Sequence, residues 1–96
     1  MNSLRELFFR HIAQTSPAPL AFEVERAEGV WLYGSKGEKV LDLISGIAVS
    51  NVGHRHPRVM QAIREQSEKY LHTLVYGEMI QSPQVKLAEK LCSLLP

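Results

Sequence analysis

An α+β fold is predicted by three features of the sequence. Apolar residues recur at helical spacing near both ends, a strand–turn–strand pattern lies between them, and no segment closes a parallel βαβ crossover. The predicted order is helix, extended strand, β-hairpin, loop, helix, helix.

The first helix is announced by Ser3-Leu4-Arg5-Glu6, a capping-box pattern with Ser3 as N-cap and Glu6 reaching back. Leu4, Leu7, Phe8 and Ile12 follow as one apolar stripe. Ser16-Pro17-Ala18-Pro19 stops that helix, because a residue before proline is pushed out of the helical region. Leu20, Phe22 and Val24 then alternate with Ala21, Glu23 and Glu25, which predicts a half-buried strand. Glu28-Gly29 turns the chain into Val30-Trp31-Leu32-Tyr33. The turn-rich Gly34-Ser35-Lys36-Gly37-Glu38 leads back through Lys39-Val40-Leu41-Asp42-Leu43-Ile44, and this pairing of β-rich runs predicts a hairpin.

From Leu41 to Pro57 the chain reads as a strand end, a run of small residues, and a helix announced by His56-Pro57. Ser45, Gly46, Ala48, Ser50 and Gly53 leave backbone exposed, so either a ligand lies against this loop or it is a tight structural corner. Pro57 suits the first helical position, and Val59, Met60, Ile63, Ser67, Tyr70 and Leu71 line one face beyond it. Residues 74–81 read as a loop or short extended piece. Ser82-Pro83 opens the last helix, with Val85, Ala88, Leu91, Cys92 and Leu95 expected to face inward. These apolar faces outnumber the partners available to cover them.

Composition narrows the function classes. The 96 residues are 45% hydrophobic and 22% charged, with a formal net charge of +1, which is ordinary for a globular protein. Eleven basic and ten acidic residues interleave rather than form a stripe, which argues against nucleic acid. No apolar run approaches the roughly 20 residues that span a bilayer. The N-terminus lacks the features of a secretory signal, and the single Cys92 makes no internal disulfide, so the expected compartment is the cytoplasm.

Several chemistries lack their motifs. Neither a G-x-G-x-x-G loop nor a lysine-terminated P-loop is present, and there is no Gly-x-Ser-x-Gly elbow. His54 and His56 could share a metal, but the remaining histidines, His11 and His72, are far along the chain. His54 and His56 are expected instead to hydrogen-bond backbone around the helix N-terminus, where donors need partners. Cys92 reads as a buried small hydrophobe rather than a nucleophile.

Four blocks occur in order: Gly29-Val30-Trp31-Leu32-Tyr33, Gly37-Glu38-Lys39-Val40-Leu41-Asp42-Leu43, Ser45-Gly46-Ile47-Ala48-Val49 and Gly53-His54-Arg55-His56-Pro57. Together they resemble the opening of a class III, pyridoxal-phosphate-dependent aminotransferase of the acetylornithine and ornithine type. The resemblance continues through residues 59–66 and His72. Gly34 departs from it, since the family often carries an acidic residue there, and so does Val75-Tyr76-Gly77-Glu78. The second departure bears on the substrate rather than the chemistry.

The resemblance implies a fold type I, α/β parent enzyme that moves an amino group from an acetylornithine- or ornithine-like amino acid to a 2-oxo acid, 2-oxoglutarate in particular. It implies a homodimer, with the first helix supplying dimer contacts. It also implies substrate-binding roles for Ser45, Gly46 and Ile47, with Ile47 facing the amino-acid side chain, and for Tyr76 near the pocket mouth. Ile47 would make a less polar wall than the aromatic that ornithine-type relatives can carry, because a tyrosine hydroxyl wants a partner. Plain packing is the competing account of Ile47 and Tyr76.

Transamination needs a lysine to hold the cofactor, an acid against its ring nitrogen, a phosphate cradle and an arginine for the substrate carboxylate. In the resembled family these lie beyond this segment, and Lys36, Lys39, Lys69, Lys86 and Lys90 all stand in turn or charged-helix contexts. No catalytic, cofactor-binding or metal-binding residue is therefore assigned. Residues 1–96 are expected to be an N-terminal segment, part of a small domain plus the start of the connection to a large one, and inactive alone. The alternatives are a small interaction module without chemistry, or a segment of a related aminomutase or racemase.

Overall fold

The computed structural model describes residues Met1–Pro96. They divide into two compact units, Met1–Gln61 and Ala62–Pro96, each described by itself.

Helix α1 (Leu4–His11) opens the first unit with the expected capping box. The Glu6 amide donates to Ser3 Oγ at 3.2 Å, and the Ser3 amide donates to Glu6 Oε2 at 2.8 Å. Two N–H groups that no helical carbonyl can reach are thereby satisfied. Leu7 and Phe8 are half-buried while Leu4 is largely exposed. With Phe22 and Val24, Leu4 and Phe8 line a shallow apolar cleft.

The strand expected over Leu20–Val24 is not formed. Strand β1 covers Val24–Glu28 instead, and Leu20 stands exposed. Ala21 adopts a φ of 47°, which breaks the extended run, and its carbonyl accepts from Arg5 Nη1 at 3.1 Å rather than from a sheet neighbour. An alternating pattern describes side-chain faces, but a strand also needs a partner for its backbone.

Strands β2 (Trp31–Gly34) and β3 (Lys39–Leu41) form the expected hairpin, and β1 extends it to an antiparallel sheet in the order β1-β2-β3. Tyr33 pairs with Lys39 and Trp31 with Leu41. Trp31 and Tyr33, two residues apart, share a face. There the Lys39 ammonium lies 4.2 Å from the Trp31 ring centre, and the Arg26 guanidinium lies 3.6 Å from that of Tyr33. Such exposed contacts are worth about 0.5–1 kcal/mol each.

Gly34 is the one buried residue. A Cβ there would collide with the Glu38 carboxylate and approach Phe22 Cζ to 3.1 Å. Glu38 Oε2 in turn accepts from the Lys36 amide at 2.8 Å, so the hairpin turn receives its carboxylate from position 38.

β3 ends at Leu41, three residues earlier than the apolar run suggests, because Asp42 redirects the backbone as described below. A single left-handed turn, α2 (Ser45–Ala48), follows. Helix α3 (Pro57–Ser67) starts at its proline as expected. It stops short of Tyr70 and Leu71, where Gln66 Nε2 donates to the Tyr70 carbonyl and Leu71 is exposed.

In the second unit residues 74–81 form a loop, and α4 (Ser82–Leu94) carries proline in its first turn, where no N–H partner is lost. The face expected to turn inward is open: Val85, Leu91 and Leu95 are at least half exposed, and Cys92 is exposed rather than buried. No hydrophobic side chain in either unit is buried. No helix is long and apolar enough to cross a membrane.

Candidate functional site

The small-residue loop is a corner organised by one carboxylate. Asp42 ends β3, and its amide still donates to the Val30 carbonyl at 2.8 Å. Its Oδ1 accepts from the Ile44 amide at 3.1 Å and the Ser45 amide at 2.9 Å, a side-chain mimic of a backbone turn. Its Oδ2 lies 2.5 Å from Nε2 of His54, twelve residues on. The His54 backbone is itself anchored: its amide donates to the Gly29 carbonyl at 2.8 Å and its carbonyl accepts from the Gly29 amide at 2.9 Å. Gly53 makes this approach possible, since a Cβ there would sit 3.2 Å from the Gly29 carbonyl oxygen and its φ is +84°.

The Ser45 amide hydrogen bond, the His54 hydrogen bond, the Ile44 amide and the charge of His54 together hold the Asp42 carboxyl below its ordinary value against the opposing effect of burial. An ionised carboxylate can only accept, so Nε2 of His54 carries the shared hydrogen.

Between these anchors Ser45, Gly46, Ile47 and Ala48 have φ values of 57°, 61°, 60° and 62°. Left-handed backbone costs an L-residue roughly 1–2 kcal/mol, so the turn depends on its ties. The Ile47 amide donates to the Ile44 carbonyl, the Val49 and Ser50 amides to the Ser45 carbonyl, and Ser45 Oγ to the Ser50 carbonyl at 3.0 Å. Asn51 Nδ2 closes on the Ala48 carbonyl at 3.1 Å.

Ser45, Gly46 and Ile47 thus share one turn. Ser45 is half-buried, and the Ile47 side chain is 85% exposed, so it is not packed within this unit. Tyr76 belongs to the second unit, where it is 81% exposed at a φ of 67°. Asp42 escaped the sequence-based choice of site residues. Its signal in the sequence is an aspartate just before a run of small residues, since aspartate bonds backbone two residues on and starts turns. His54 was expected to bond backbone with its ring but pairs with Asp42. His56 does meet the expectation, with Nδ1 accepting from the Arg58 amide at 3.2 Å.

Aspartate, histidine and serine in one corner suggest nucleophilic chemistry, yet the Ser45 hydroxyl donates to a backbone carbonyl, not to His54. No activated nucleophile results. All five lysines, Lys36, Lys39, Lys69, Lys86 and Lys90, are exposed, so none has the desolvated setting of an amine that holds a carbonyl cofactor. Taken alone, these residues do not fit a pyridoxal phosphate site. What the corner offers is a fixed backbone presenting an aliphatic side chain.

A family model described as aminotransferase class-III matches residues 12–96. The acetylornithine aminotransferase of Agrobacterium fabrum is 45% identical over 75 residues, 77% of this chain and 18% of that protein. The chain therefore spans about a fifth of the length of this curated relative. The crystal structure of the acetylornithine aminotransferase of Elizabethkingia anophelis superposes with a TM-score of 0.79 at 32% identity, covering 94% of this chain and 23% of that one. The ornithine aminotransferase of Toxoplasma gondii, described with partial occupancy of PLP at its active site, gives a TM-score of 0.70 at 25% identity over 91% of this chain and 21% of that one.

Proposed function

This chain belongs to the class III aminotransferase family, and on that footing we propose that it is the N-terminal segment of an enzyme moving an amino group from an acetylornithine- or ornithine-like donor to 2-oxoglutarate. The observation that carries the proposal is the family match across residues 12–96, joined to relatives that are themselves acetylornithine and ornithine aminotransferases.

In this reading the whole protein uses pyridoxal phosphate. The lysine, ring-nitrogen acid, phosphate cradle and carboxylate-binding arginine come from residues outside 1–96, in keeping with the exposure of every lysine here. No step through the cofactor is assigned to residues of this chain. Their part is to bind and orient. Ser45, Gly46 and Ile47 form one wall of the substrate pocket, and Ile47 offers an aliphatic surface that excludes water from the donor side chain. Tyr76 approaches the pocket mouth. The open stripe of α1 meets a second subunit in a homodimer, and the enzyme works in the cytoplasm.

The test is turnover by the whole protein with pyridoxal phosphate, a panel of amino donors and 2-oxoglutarate, read as glutamate formed. Glutamate from acetylornithine or ornithine is the expected result. No glutamate from any donor would overturn the proposal, and consumption of donor without an external 2-oxo acid would move the enzyme to the aminomutase or racemase class.

A further inference from the structure

Family membership leaves one feature without a role: an aspartate–histidine pair behind a backbone wound the wrong way. Ser45, Ile47 and Ala48 carry side chains at positive φ, and such a run persists only where its surroundings over-determine it. Here the surroundings converge on Asp42. One carboxylate holds the two amides that start the turn and the imidazole of the residue to which the chain returns. That residue is pinned to Gly29 through both of its backbone groups.

We propose that Asp42 and His54 are positioning residues for substrate recognition, their pair locking the left-handed turn so that Ile47 stands as a fixed wall for an aliphatic amino-donor side chain. The inference rests on the reading of the whole protein as an aminotransferase. Its geometry is local. Ile47 projects outward at 85% exposure from a turn in which its own amide donates to the Ile44 carbonyl, the Val49 and Ser50 amides donate to the Ser45 carbonyl, and the Ala48 carbonyl accepts from Asn51 Nδ2. An exposed side chain gains specificity from such a backbone because its place is set before substrate arrives, so little ordering cost remains at binding. Removing the Asp42 carboxylate would free the Ile44 and Ser45 amides together and release His54. Ser45, Ile47 and Ala48 could then relax to right-handed backbone and carry Ile47 away.

The experiment uses the whole holoenzyme and compares Asp42→Ala, His54→Phe, His54→Gln, Ile47→Ala and the double variant Asp42→Ala/Ile47→Ala. Two donors are assayed, ornithine with its methylene chain and alanine without one. Asp42→Ala and His54→Phe are expected to raise KM for ornithine about tenfold, the scale of a sub-ångström misplacement, with kcat changed less than about threefold and alanine unaffected. His54→Gln retains a donor toward Asp42 and should stay near wild type. In the double variant the Asp42 effect should vanish, because the wall it positions is already gone. Amide hydrogen exchange across residues 44–50 should quicken in Asp42→Ala while the β2–β3 hairpin keeps its protection. Effects that multiply in the double variant, or unchanged exchange at the turn, would overturn the positioning role while leaving the aminotransferase reading intact. A wild-type protein that transaminates no donor would remove that reading, and this inference with it.

Discussion

Asp42 reaches backbone donors two and three residues away and an imidazole twelve residues away. Along α4, by contrast, Val85, Leu91 and Leu95 stand at least half exposed and Cys92 is open to solvent. Both segments are ordered locally, but by different means. The Asp42 corner is built from hydrogen bonds, most between near neighbours and one to His54 twelve residues on, and each needs only a donor and an acceptor in place. The α4 face is built for burial, which needs a surface from elsewhere. Both oxygens of the Asp42 carboxylate therefore find partners within these residues, while the apolar face of α4 does not.

The largest effect that could break this contrast concerns the 96 residues on their own. With no buried hydrophobic side chain, the isolated chain should associate, or melt without a cooperative transition, since burial is the main stabilising contribution to folding. A sharp melt independent of concentration would show that the open faces find partners within the chain.

A smaller effect sharpens the polar side. Gly53→Ala puts a Cβ 3.2 Å from the Gly29 carbonyl at a φ of +84°. In the whole protein it should lower the local opening free energy at the Gly29 and His54 amides by about 1–3 kcal/mol, read as faster hydrogen exchange. Exchange equal to wild type would mean that the Gly29–His54 bridge does not govern the corner.

The smallest is a pH dependence. The Asp42 carboxyl is held below its ordinary value, chiefly by the Ser45 amide and then by His54. A group lowered in the folded state contributes stability above its unfolded value, about 3.9, and loses that contribution as pH falls through the folded value. Wild-type protein should therefore lose stability more steeply than Asp42→Asn as the pH is lowered below about 4. Parallel acid profiles for the two proteins would count against an ionised Asp42 at the centre of the corner.

Much of the fold was legible from residue order. The Ser3–Glu6 capping box, the hairpin around Gly34–Glu38, the start of α3 at Pro57 and the start of α4 at Ser82-Pro83 all stand where the sequence puts them. The misses share a cause. Leu20–Val24 has the alternation of a strand, but Ala21 turns away and its carbonyl goes to Arg5. Tyr70 and Leu71 continue a helical stripe, but the helix ends at Ser67. In each case periodicity describes where side chains would point and is silent on where backbone groups bond. The candidate turn shows the same division: Ser45 and Gly46 were visible as small residues and Ile47 as a member of a family-like block, while the Asp42–His54 pair that shapes them was not.

By itself the sequence determined the first helix's cap, the hairpin, the starts of α3 and α4, the family and the place of the small-residue loop that bears Ile47, because caps, prolines and glycines act between residues close along the chain. Only the tertiary structure decided that Asp42 would pair with His54, that four residues would wind left-handed, and that the apolar faces of α4 would remain uncovered. Those outcomes depend on distances between groups that residue order does not encode. They are settled by whether a donor, an acceptor or an apolar surface arrives from another part of the protein.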